Sequence, residues 1–179
     1  DEIPEVEKVI FFRSEEVPTK EGHLLLVGLK RNIVGGKSLE DTLKEAEDQG
    51  AIIIADHPLV AGIRGAIGRE NVLKYQDKLD ALEVNSQATN LLGPFSFGIL
   101  RQKPNNETVY YLAQETGLPV VANSDFHMSS QPWLHYFRGG IERKFGFGGS
   151  YNEFDILETN PNEWVGEVKR IIKTDKFLS

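Results

Sequence analysis

Three short apolar runs in this chain each stop in groups able to bind a cation or a phosphate. Ile52-Ile53-Ile54-Ala55 runs into Asp56-His57-Pro58, Leu82-Glu83-Val84 into Asn85, and Val120-Val121-Ala122 into Asn123-Ser124-Asp125-Phe126-His127. Strands covered on both faces by helices are apolar along their length. Polar residues gather at their carboxyl ends, where the loops of α/β enzymes begin. A chain written in this way is drawn toward an α/β architecture with its chemistry at one edge of the sheet.

The intervening pattern agrees. Apolar runs predict strands over 8–17 and 23–29, with Pro18 and Gly22 marking the turn between them. Ser38 followed by Asp41 reads as a helix cap, and Leu39, Leu43 and Ala46 recur at helical spacing until Gly50. Further helices are expected over 69–78 and 107–116. A last one opens with Asn160 as cap, Pro161 at its first position and Glu163 behind, and carries Trp164, Val168, Ile171 and Ile172 on one face. Residues 93–106 read as a long connection and a short strand is expected near Ile156. This alternation predicts a parallel α/β sheet, barrel-like or open, in a single domain over 1–179.

Composition narrows the chemistry. With no cysteine in the chain, disulfides, thiolate zinc sites and a cysteine nucleophile are excluded, so any metal binds through His, Asp and Glu. Zinc, manganese, iron and magnesium all suit such a set. The net charge of −7 disfavours broad contact with nucleic-acid backbone but leaves room for a small phosphorylated ligand. No apolar stretch is long enough to cross a bilayer and the amino end has no signal-peptide pattern, so a cytoplasmic protein without a membrane partner is expected.

Of the 4 histidines, three fall in short polar motifs at strand edges. Asp125 and His127, two apart at a strand end, can face one cavity; a loop carboxylate capping a turn and a packed histidine is the equal alternative. His57 is followed by proline, which biases it toward an extended backbone and would hold its imidazole at the sheet edge. Glu16 and His23 flank a short turn and could share a cation, although Glu15, Glu16 and Glu21 would also make an ordinary solvated acidic corner. Period-two facing does not decide between Glu15 and Glu16. His135, in Trp133-Leu134-His135-Tyr136-Phe137, reads as packed.

The ordered set Glu16-Val17-Pro18-Thr19-Lys20-Glu21-Gly22-His23, Ala55-Asp56-His57-Pro58, Leu82-Glu83-Val84-Asn85 and Asn123-Ser124-Asp125-Phe126-His127 resembles the later motifs of the PHP family, the polymerase and histidinol phosphatase metal-dependent phosphoesterases. The resemblance implies a distorted (β/α)7 barrel of the TIM type with two or three divalent ions, manganese, zinc, iron or magnesium, at its strand ends. It implies that Glu16 bridges two metals, that His23 and His57 complete the second, that Asp125 ligates the first and His127 a third. The family's opening His-x-His motif and a following Asp-His element have no counterpart here, and the sequence does not begin with Met. A chain matching the later two thirds of a family domain is therefore expected, with an amino-terminal piece left out and fewer metals held.

The implied activity is hydrolysis of a phosphate ester of a small metabolite or short nucleotide by a metal-activated water. Arg64, Arg69 and Arg101 are candidates to hold the phosphate, because a guanidinium fork matches its oxygens, although each alone is more simply a surface arginine. Asn85 and Ser124 are further candidates near the substrate, and Glu83 reads equally as a buried ion-pair partner. A degenerate PHP-like binding or regulatory module, and a metal-dependent amide or lactone hydrolase on a similar barrel, are the other functions compatible with these residues.

Overall fold

A computed structural model describes residues 12–59, 65–85, 103–123, 160 and 162–174. Five strands form one sheet in the order β1-β2-β3-β4-β5: β1 (Ser14–Pro18), β2 (His23–Val27), β3 (Ile52–Ala55), β4 (Ala81–Asn85) and β5 (Val120–Asn123). The helices are α1 (Leu39–Gln49), α2 (Gly68–Tyr75), α3 (Lys103–Thr116) and α4 (Trp164–Thr174).

The sheet is mixed and, among the described residues, open. β2 pairs antiparallel with both β1 and β3, whereas β3-β4 and β4-β5 are parallel. This corrects the expected (β/α)7 barrel: β1 and β5 lie at opposite ends of the strand order and do not pair with each other. The turn over 19–22 is too short for the crossover that parallel strands need, which forces β1 and β2 antiparallel. The expected strand near Ile156 lies outside the described residues.

Two apolar layers sandwich the sheet. On one face Val17, Leu24, Leu26, Ile53, Ala55, Leu82 and Val84 meet Leu39, Leu43 and Ala46 of α1, Val72 of α2, and Val109, Leu112 and Ala113 of α3. On the other, Ile52, Ile54, Ala81 and Val121 meet Val168 and Ile172 of α4, with Leu25 and Val27 partly buried beside them. β3 is buried on both faces, which is why its sequence is apolar without alternation.

The ends of α1 follow the sequence signals. Ser38 caps α1 by accepting the Asp41 N–H, and the Gly50 N–H returns to the Ala46 and Glu47 carbonyls. α4 begins at Trp164, later than the expected Asn160 cap; Asn160 Oδ1 accepts the Asn162 N–H at 3.2 Å in the turn before it, and Pro161 lies outside the described residues. α3 begins at Lys103, inside the stretch expected to be a connection, with Pro104 in its first turn, where a missing N–H costs nothing.

α4 is fastened at the sheet end where β3 and β4 begin. Lys169 Nζ lies 3.0 Å from Asp80 Oδ2 and donates to the Ala51 carbonyl at 2.8 Å. Lys173 Nζ lies 2.7 Å from Asp80 Oδ1. Asp80 is fully buried, and its Oδ2 also accepts the Ile53 N–H at 2.9 Å. The opposite end of the sheet, where β3 and β4 finish, carries the acidic and imidazole groups.

Candidate metal centre

Antiparallel pairing brings the end of one strand beside the beginning of the next. The end of β1, the start of β2 and the end of β3 therefore share one corner of the sheet, and that corner holds Glu16, His23, Asp56 and His57. Each offers one donor atom, and the four atoms lie within 4.8 Å of one another.

The hairpin that carries Glu16 and His23 is tied down from several sides. Within the turn, Thr19 Oγ1 donates to the Gly22 carbonyl at 2.6 Å. Glu21 Oε2 accepts the Leu39 N–H at the start of α1 at 2.7 Å, and the Gly36 N–H donates to the Pro18 carbonyl at 2.7 Å. Gly22 has φ +149°, and a side chain there would run into the backbone of Ala66 and Ile67. The turn is thus wedged between the start of α1 and the segment that leads into α2.

Across this pinned hairpin, His23 Nδ1 lies 2.6 Å from Glu16 Oε1, with His23 half-buried and Glu16 exposed. Glu16 Oε1 is also 3.9 Å from His57 Nε2, and the two imidazole rings stand 5.5 Å apart at 60°. His57 Nε2 lies 3.1 Å from Asp56 Oδ2, and both of these residues are buried. Burial pushes the Asp56 carboxyl up, and hydrogen bonds with His57 and Glu83 more than offset it, holding the group at about 2.

His57 departs from the extended backbone that its proline neighbour predicts. Its φ is +28°, the one positive value at a non-glycine residue among those described. A side chain in that region costs about 1–3 kcal/mol and persists only where the surroundings enforce it. Here Glu83 Oε2 accepts the His57 N–H at 2.7 Å, and the Gly68 N–H donates to the Pro58 carbonyl at 3.0 Å. Tertiary contacts override the local preference.

Gly65 closes over both rings. Its carbonyl accepts the His23 N–H at 2.6 Å. A Cβ at this position would come within 2.7 Å of His57 Cε1 and 2.9 Å of His23 Nδ1. Only a residue without a side chain lets the backbone approach the imidazoles so nearly.

Of the sequence candidates, Glu16, His23 and His57 are brought together, and Asp56 joins them although it was expected only as a neighbour of His57. Adjacent residues on a strand face opposite ways, so strand alternation alone does not bring Asp56 beside His57. The left-handed turn at His57 ends that alternation. A carboxylate directly before a strand-end His-Pro was the one available signal. Arg69 makes a two-pronged ion pair with Glu115 at 2.6 and 2.7 Å, joining α2 to α3. Asn85 pairs with Asn123 through the backbone where β4 and β5 finish. Arg64, Arg101, Ser124, Asp125, His127 and His135 lie outside the described residues.

Two imidazole nitrogens and two carboxylate oxygens from four residues form a donor set that fits a divalent cation such as zinc, manganese or iron. No helix among the described residues is long and apolar enough to cross a membrane. No family model matches the chain, and no curated protein matches it significantly.

Proposed function

We propose that this chain is a metal-dependent phosphoesterase of the PHP type, acting on the phosphate ester of a small metabolite or a short nucleotide. The convergence of Glu16, His23, Asp56 and His57 within 4.8 Å carries the reading, since all four lie in motifs that resemble that family in order and the resemblance makes three of them ligands. The open sheet lends it no support. The proposal stands on the motifs and the donor cluster.

A divalent cation, when bound, supplies Lewis acidity toward phosphate oxygens and makes water a usable nucleophile near neutral pH. The chain's own residues hold and orient it. Asp56 and His57 are buried, where charges act more strongly than in bulk water. Glu16 is exposed and His23 half-buried on the hairpin, and their accessible side is where a phosphate would approach. The resemblance would make Asp125 and His127 further ligands.

The test is metal content after purification without chelator, together with hydrolysis of p-nitrophenyl phosphate and bis(p-nitrophenyl) phosphate by wild type and by His57→Ala. Bound metal, hydrolysis that depends on it, and a loss of orders of magnitude in the variant support the proposal. A chain that takes up no divalent ion and cleaves neither ester refutes it.

A further inference from the structure

We propose that Glu83 is a positioning residue for this centre, its carboxylate holding the His57 backbone in the left-handed turn that brings Asp56 and His57 to Glu16 and His23. The inference rests on the reading of those four residues as a metal site. Glu83 is 1% exposed on β4, where a carboxylate is rarely found unless it is engaged. Its Oε2 accepts the His57 N–H at 2.7 Å.

The geometry of the donors depends on that turn. If β3 continued straight past Ala55, the side chains of Asp56 and His57 would face opposite sides of the sheet. With φ at +28°, Asp56 Oδ2 and His57 Nε2 instead lie 3.1 Å apart and within reach of the hairpin pair. Pro58 works against the turn, because a residue before proline prefers an extended backbone. The hold must come from outside the segment. The Gly68 N–H fixes the carbonyl of Pro58, one residue on; Glu83 grips residue 57 itself. Outer groups that orient a metal ligand commonly change affinity about ten- to hundredfold when removed.

Glu83→Gln and Glu83→Met, made in the full chain, separate this role from mere burial. Gln keeps an oxygen able to accept the His57 N–H; Met keeps the length and loses the acceptor. Cobalt(II) titration followed by visible absorption reads affinity and ligand geometry, and hydrogen exchange at the His57 amide reads the hydrogen bond without any metal.

The expected result is a Gln variant within about threefold of wild type in cobalt affinity. The Met variant is expected to be about ten- to hundredfold weaker, with an altered spectrum and a fast-exchanging His57 amide. A folded Met variant that binds cobalt like wild type overturns the inference while leaving the metal site standing. A folded Gln variant as weak as Met also overturns it, because charge and not the grip on residue 57 would then matter. If Met does not fold, the Gln titration and the wild-type exchange decide, and an unprotected wild-type His57 amide overturns the inference. Failure of wild type to bind cobalt removes the metal site itself, and this role with it.

Discussion

Glu15 and Glu16 are neighbours in sequence and part company in space. Glu15 Oε2 accepts the Ile33 N–H at 3.2 Å, whereas Glu16 Oε1 lies 2.6 Å from His23 Nδ1. The period of two along β1 thus assigns one carboxylate to the loop before α1 and the other to the candidate metal centre. Glu16→Gln is expected to weaken zinc binding by at least about tenfold with little change in urea unfolding. Glu15→Ala should do the reverse, leaving zinc affinity intact and costing about 1 kcal/mol for the lost acceptor. Calorimetric titration and urea denaturation of both variants check the pair, and equal zinc affinities in the two would contradict the assignment.

Gly65→Ala tests how closely the backbone must approach the imidazoles. The added methyl would sit 2.7 Å from His57 Cε1, so the segment must retreat and take with it the carbonyl that receives the His23 N–H. A loss of about 1–3 kcal/mol in stability is expected from the crowding. Zinc affinity should fall about tenfold or more, as for other lost ligand supports. A variant that unfolds and binds zinc as wild type does would show that the segment yields freely.

Metal should stabilise the folded chain through its ligands. Zinc at about a hundred times its dissociation constant adds about 2.7 kcal/mol, which for a domain of this size raises the melting temperature by about 5–10 °C. Scanning calorimetry with and without zinc measures the shift, and a chelator should reverse it. His57→Ala should show no shift; a shift retained there would place the ion elsewhere.

Asp80 predicts a graded response at the far end of the sheet. Asp80→Ala removes the partner of two lysines and of the Ile53 N–H at once, and is expected to cost about 3–5 kcal/mol. Lys173→Met should cost no more than about 1 kcal/mol, because its side chain is half exposed and screened. Lys169→Met should fall between them, since Lys169 is less exposed and also serves the Ala51 carbonyl. Urea midpoints give the ranking, and Lys173 proving costlier than Lys169 would contradict it.

How much of this was legible depended on whether the signal was local. The Ser38 cap, the Gly50 stop and the apolar face of α4 are written in neighbouring residues, and the structure follows them. Sheet closure is different, because strand number, tilt and stagger arise from long-range pairing that no local pattern records. The antiparallel β1-β2 pair was readable from the short turn at 19–22; the antiparallel β2-β3 pair was not, because a helix intervenes. In the site, Glu16, His23 and His57 stood out by residue type at strand edges. Asp56 did not, since its contribution depends on a backbone turn at His57 that the following proline disfavours and that Glu83 imposes from another strand. The carboxyl end of β5 leads toward Asp125 and His127, which lie outside the described residues.

The tight hairpin and the longer connections of this sheet also separate events in time. Bringing Glu16 to His23 closes only a tight turn, whereas the register of β2 on β3 that draws in Asp56 and His57 closes a longer connection that contains α1. The grip on His57 needs β4 docked on β3, which likewise closes a connection that contains a helix, at a far larger loss of loop entropy than the hairpin. Assembly of the corner is therefore ordered as a hairpin pair first and a latch on His57 afterwards. In pulsed hydrogen exchange during refolding, the amides of β2 gain protection before that of His57, and the reverse order would show that the latch forms first.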